Sequence, residues 1–204
     1  LITSAAGSGD FTNALKTLRK SVPFPEIIAR TCDQPCQVKC TRHPVGGAIQ
    51  IANIELACVK YGTENPFSIP LIPRKTDKVA VVGGGLCGLT AAFELTKKGY
   101  QVSLIEKESR LGGRLQALPD STLTQSVIDR EIEFVLRSGF EVILDTRIDS
   151  LTSLKEQYDA VFLACGDQDP IGADYRPASI DFRAIDPLTL QTDHSSLFAG
   201  GTLL

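Results

Sequence analysis

The run Val79-Ala80-Val81-Val82-Gly83-Gly84-Gly85-Leu86-Cys87-Gly88 constrains this chain more than any other feature. Its apolar first half predicts a buried strand over Lys78–Val82, and the residues after it predict a helix over Leu86–Lys98 closed by Gly99. A G-x-G-x-x-G pattern carries weight only between a strand and a helix, and here it falls there. Gly83 permits the tight turn, Gly85 lets a backbone approach a pyrophosphate, and Gly88 lets helix pack on strand. The helix N-terminus offers free N–H groups and a positive dipole end to phosphates. Glu106, 23 residues after Gly83, ends the next predicted strand, where it can accept hydrogen bonds from ribose hydroxyls. A carboxylate there repels a 2′-phosphate, so the turn predicts FAD or NAD and excludes NADP.

From Lys78 onward strands and helices alternate. Further strands are predicted at Val102–Ile105, Val142–Leu144, Ala160–Ala164 and Leu197–Ala199, and a helix at Thr124–Arg137. That rhythm predicts an α/β fold with a parallel sheet. Before Lys78 the pattern is helical. Phe11–Val22 carries apolar residues at helical spacing with Asp10 placed to cap it, and Ile49–Tyr61 repeats the pattern. Between them Ser21-Val22-Pro23-Phe24-Pro25 predicts an extended crossing. Three prolines in Asn65–Pro73 mark a linker. The expected division is therefore a helical domain over 1–65, a linker over 66–77 and a Rossmann-like domain over 78–204. Asp129, Arg130, Glu131 and Glu133 are expected on a solvated helix face.

With 21 basic against 24 acidic side chains and no basic block, nucleic acid and anionic membrane surfaces are excluded as partners. No apolar run approaches the roughly 18 residues of a spanning helix, and no signal-peptide pattern is visible. A cytoplasmic location is expected. The chain has no Met and stops after a strand-like segment, which reads as a fragment.

Of six cysteines, Cys32, Cys36 and Cys40 lie within nine residues. In a reducing compartment such spacing points to metal or redox chemistry rather than disulfides, and thiolates suit iron–sulfur clusters or zinc. Cys87 opens the helix after the glycine turn, where a thiol pKa can fall; filling a small-residue position is the simpler account. Cys58 and Cys165 are expected as buried hydrophobes. His43 and His194 are expected in solvent.

Several segments together resemble a known family. Glu106-Lys107-Glu108-Ser109-Arg110-Leu111-Gly112-Gly113-Arg114-Leu115 resembles the extended fingerprint of flavoproteins that bind two dinucleotides. Asp159–Gly166 is similar to their strand ending in an Ala-Thr-Gly-type turn, and Leu197–Gly201 to their closing strand. Pro23-Phe24-Pro25-Glu26, Arg30-Thr31-Cys32, the cysteine loop and Ile49–Tyr61 resemble the N-terminal iron–sulfur domain of the glutamate synthase small subunit, which also opens dihydropyrimidine dehydrogenase. The resemblance runs from about Gly9 to Gly201. It implies an FAD-binding Rossmann-like domain preceded by a small α-helical iron–sulfur-type domain.

It further implies flavin contacts at Gly83, Gly85, Leu86, Cys87, Gly88, Glu106, Lys107, Gly113, Arg114, Leu115, Gly166, Gly201 and Thr202. Thr202 stands where the family has Asp, keeping an oxygen and losing the charge. Cys32 and Cys36 would ligate one [4Fe–4S] cluster and Cys40 a second, with Glu55 at a position for a non-cysteine ligand. The family's first cysteine group is not in this sequence, so a single zinc, a partly ligated cluster and free thiols all stay open. Gly166 and Leu197 are separated by 30 residues, too few for the NADPH-binding domain that the family inserts there. The implied activity is a flavin-dependent oxidoreductase part. It would pass electrons between a pyridine nucleotide bound elsewhere, flavin, and clusters or a larger oxidoreductase subunit, that subunit or the remaining domains being its partner. A non-catalytic docking module with a vestigial nucleotide site, and a simple NAD-linked dehydrogenase, are the competing readings.

Overall fold

The computed structural model describes residues 2–63, 72–148, 151–166 and 185–201. Two compact units divide them: Leu1–Ser68 with Leu118–Phe134, and Ile69–Ala117 with Val135–Leu204. The segment 118–134 therefore packs with the N-terminal helices although it lies within the α/β stretch of sequence.

The first unit is helical. Helix α1 (Ile2–Gly7) precedes α2 (Phe11–Leu18), whose N-cap Asp10 accepts the Asn13 N–H at 3.1 Å. Helix α3 (Pro25–Thr31) starts with Pro25 in its first turn, so the expected extended crossing stops at Phe24. Helix α4 (Pro35–Val38) is a single turn and α5 (Ile51–Tyr61) follows the cysteine loop. Ala14, Leu15, Leu18 and Cys58 form a core here, with Phe11, Val22, Ile54 and Val59 against it. Cys58 is thus a buried apolar side chain, and burial pushes its thiol pKa up.

The second unit holds a parallel five-stranded sheet among the described residues, in the order β3-β2-β1-β4-β5. Its strands are β1 (Lys78–Val82), β2 (Gln101–Ile105), β3 (Glu141–Ile143), β4 (Ala160–Leu163) and β5 (Leu197–Ala199). All four pairings are parallel, with Val82 opposite both Ile105 and Leu163. This is the Rossmann-like α/β architecture that the alternation predicts. Helix α6 (Leu86–Lys97) joins β1 to β2, α7 (Gln125–Leu136) lies between β2 and β3, and α8 (Leu151–Gln157) between β3 and β4. The sequence pattern did not reveal α8, which buries only Leu151 and Leu154 on one face of seven residues.

One sheet face packs Ala80, Val82, Ile105, Val161 and Leu163 against Leu151 and Leu154. Val81, Leu89, Ala92 and Phe93 are buried as well, so β1 is covered on both faces, as its unbroken apolar run requires. The expected solvated face of α7 is overturned at one position. Glu131 is fully buried, because Arg19 and the start of α3 face it within the first unit.

Candidate functional site

Parallel strands bring their carboxyl ends to one edge of the sheet, and the loops that leave β1, β2, β4 and β5 meet there. The β1 loop is the glycine turn. Gly83 has φ +110°, and a Cβ on it would lie 2.4 Å from the Ala164 carbonyl oxygen. A Cβ on Gly88 would lie 1.8 Å from the Gly83 carbonyl oxygen, so α6 seats directly on the turn only because that side chain is missing. Gly85 differs: nothing lies within 4 Å of the place its Cβ would take. It is the N-cap of α6 and makes no side-chain cap bond. An open face, an uncapped twelve-residue helix and its positive end together fit a phosphate anion.

The β2 loop closes against that turn through backbone. Gly112 N–H donates to the Gly84 carbonyl at 2.8 Å. Gly113, at φ +52°, has a Cβ position only 3.1 Å from the Gly85 Cα. Gly113 opens a short 3₁₀ turn, Gly113–Ala117, that carries Arg114 and the buried Leu115. Glu106 is buried at the end of β2. One of its carboxylate oxygens accepts the Gly84 N–H at 2.5 Å and the other accepts the Glu108 N–H at 2.9 Å. Each oxygen retains a second lone pair for a ribose hydroxyl.

A cleft of about 50 Å³ opens beside Glu106. It is lined by Val82, Gly83, Ile105, Lys107, Thr146, Arg147, Ile148 and Cys165. Thr146, Arg147 and Ile148 are the residues that motif reasoning missed. They follow β3 and are tied back by the Thr146 N–H, which donates to the Glu106 carbonyl at 3.0 Å. The left-handed Asp145 at φ +51° was the only local signal, and it is not visible in sequence. Cys165 is half-buried: it packs against the core of the sheet and also lines this cleft, so the burial expected of it is only partial.

Gly166 turns the chain out of β4 at φ +75°. After β5, Gly200 N–H donates to the Leu163 carbonyl at 3.0 Å, and a Cβ on Gly201 would lie 3.2 Å from the Cys87 Cβ. Cys87 therefore fills the space under the closing turn, and its burial pushes the thiol pKa up rather than down. Leu86 sits beside it in the first turn of α6. Of the thirteen candidate nucleotide contacts, Thr202 alone lies outside the described residues.

The cysteine loop is built differently. Cys32 and Cys36 are exposed and Cys40 is half-buried, and no side chain between residues 30 and 51 is buried. Gln34 N–H donates to the Cys32 sulfur at 3.3 Å. The backbone N–H groups of Ile49 and Arg42 hold the Cys40 thiol below its ordinary pKa. Glu55, on α5, is shifted up by burial. Among the described residues no three of His, Cys, Asp and Glu come together as a metal-binding group. Cys32, Cys36, Cys40 and Glu55 thus do not fit a complete cluster site in this structure. His43 is exposed, whereas His194 is half-buried, 4.0 Å from Asp193. Among the described residues no helix is long and apolar enough to cross a membrane.

Comparison with known proteins matches two segments of the chain to family models. Residues 2–66 match dihydropyrimidine dehydrogenase domain II, 4Fe-4S cluster, and residues 81–146 match the NAD(P)-binding Rossmann-like domain. The glutamate synthase [NADPH] small chain of Bacillus subtilis is 36% identical over 166 residues, covering 78% of this chain and 34% of that protein. The NADPH-Fe(3+) oxidoreductase subunit beta of Geobacter sulfurreducens is 32% identical over 164 residues, covering 76% and 24%. The NAD-dependent dihydropyrimidine dehydrogenase subunit PreT of Salmonella typhimurium is 32% identical over 164 residues, covering 77% and 40%. The chain thus spans between a quarter and two fifths of the length of these relatives, each of which is named as a chain or subunit of an oxidoreductase.

Proposed function

From its membership of the glutamate synthase small-chain-like family of NAD(P)H/FAD oxidoreductases, we propose that this chain is the FAD-binding part of a cytoplasmic electron-transfer oxidoreductase. The open face of Gly85 at the uncapped end of α6 carries this reading. FAD, when bound, supplies the two-electron and one-electron redox chemistry. The chain's own residues bind and orient. Gly85, Leu86, Cys87 and Gly88 would hold the pyrophosphate by backbone N–H groups, with Gly83, whose own N–H donates to the Ile105 carbonyl, shaping the turn, and Glu106 would accept from the ribose. Lys107 and Cys165 would border the adenosine. Gly113, Arg114, Leu115, Gly166, Gly201 and Thr202 would hold the remainder of the cofactor. Electrons would leave to a larger subunit or to further domains of the same polypeptide, with pyridine nucleotide bound outside this chain. Since the cysteines do not converge on a ligand set, the reading rests on the nucleotide site.

The test is an FAD titration of the wild-type chain and of Gly85→Ala. A Cβ at residue 85 meets no atom of the protein, so the variant should melt like the wild type. Its FAD affinity should fall by about tenfold or more, equivalent to about 1.4 kcal/mol. A wild-type chain that takes up no FAD and no flavin colour would overturn the proposal and favour the docking-module reading.

A further inference from the structure

The first unit contains a buried ionic network with no part in the nucleotide site. Arg19, just past α2, donates to the Pro23 carbonyl at 2.7 Å and to the Glu131 carboxylate at 2.8 Å, and its guanidinium lies 3.9 Å from the centre of the Phe134 ring. The other Glu131 oxygen accepts the backbone N–H of Glu26 at 3.0 Å, in the first turn of α3. The Glu26 carboxylate is buried in turn. It accepts from Arg30 at 2.9 and 2.7 Å, and Arg130 pairs with its second oxygen. Five charged groups thus clamp α3 from its first turn to its last.

A fully buried carboxylate is a costly way to join two helices. Taking an ion pair out of water costs several kcal/mol per ion, and an apolar pair of equal volume is often as stabilising. What a carboxylate adds is direction: its two oxygens accept only from donors placed to meet them. The place where direction matters lies at the other end of α3. Cys32 is the C-cap of that helix, and the loop it opens has no buried side chain until Ala52. A loop without a core takes its position from its two ends. The α5 end is set by the buried Ala52 and Cys58, and the α3 end by this network together with Ile27 and Ala29.

We propose that Glu131 and Glu26, with Arg19, Arg30 and Arg130, are positioning residues that fix α3 and thereby the place of the Cys32–Cys40 loop. This is independent of the flavin reading, and its test is made with no nucleotide added. The Cys32 amide donates to the Ile28 carbonyl and reports the end of α3, while the amides of Gln37, Cys40 and His43 are hydrogen-bonded within the loop and report its order by hydrogen exchange. In the full chain, the pair Arg19→Met with Glu131→Leu should melt cooperatively and above either single variant, since neither charge is left buried alone, but below the wild type, since the Pro23 carbonyl and the Glu26 N–H lose their partners. The four amides should exchange about tenfold faster, the loss expected when about 1.4 kcal/mol of ordering is removed. Unchanged protection at these amides in the folded pair would overturn the proposal, because the network would then be mere stabilisation. Should the pair fail to fold, Arg30→Gln carries the test, since Arg30 is partly exposed. A cooperative melt with faster exchange at Cys32 and Gln37 supports positioning; unchanged exchange refutes it.

Discussion

The glycine turn and the cysteine loop are both short motifs, yet only the first comes together in the fold. The turn works through backbone: Gly83, Gly88 and Gly113 each answer to a close approach, by Ala164, by the Gly83 carbonyl and by Gly85, while Gly85 keeps an open face. Such a motif is complete once the chain is folded, because its partners are strands and turns of the same unit. The cysteine loop works through side-chain ligands. Cys32 and Cys36 are exposed, and nothing within residues 30–51 is buried to draw them together. Ligand motifs need something to converge upon, whereas backbone motifs supply their own reason to close.

The sharpest way to break this comparison is Gly88→Ala. A methyl group 1.8 Å from a backbone oxygen cannot be relieved by a rotamer change, so α6 must leave the turn. We expect a loss of about 3 kcal/mol or more in urea unfolding, at the upper end of single-substitution effects. A variant as stable as the wild type would show that the close approach is dispensable.

Glu106→Gln should have a smaller effect. Both carboxylate oxygens accept backbone N–H groups, one buried and one partly buried, and an amide can satisfy only one of them. The expected destabilisation is about 1–3 kcal/mol, measured by the same unfolding curve. Weaker exclusion of 2′-phosphorylated dinucleotides should accompany it, read by competition against FAD.

The smallest effect concerns thiol reactivity. Burial raises the Cys87 pKa, so less of this thiol is thiolate at neutral pH than in a free cysteine; N–H groups of Ile49 and Arg42 lower that of Cys40, so more is thiolate. In metal-free protein, alkylation followed by peptide mapping should therefore label Cys40 before Cys87 at pH 7. The difference should narrow as pH rises through the thiol range, where both become thiolate. Equal labelling at pH 7 would mean that the turn and the loop do not differ in this respect.

Much of this was legible beforehand, and the exceptions share a cause. The strands, the helices α2, α5, α6 and α7, and the Asp10 cap follow from local period and capping chemistry, which act over a few residues. Glu131 misled for the opposite reason. In sequence it sits in the charged run Asp129–Glu133, and its burial depends on Arg19, 112 residues away. Cys165 follows the apolar strand β4, yet it stands two residues beyond Leu163, where it packs against the core and also lines the cleft. Thr146–Ile148 carry no motif at all; their place follows from the register of β3 against β2.

By itself the sequence determined the parallel α/β order and the glycine turn, because steric demands on φ and on Cβ are properties of single residues and their neighbours. Only the tertiary structure decided which loops surround that turn, which charge lies buried in the helical unit, and whether three cysteines meet. Those outcomes depend on contacts between residues far apart in the chain, and on whether a core lies behind each side chain.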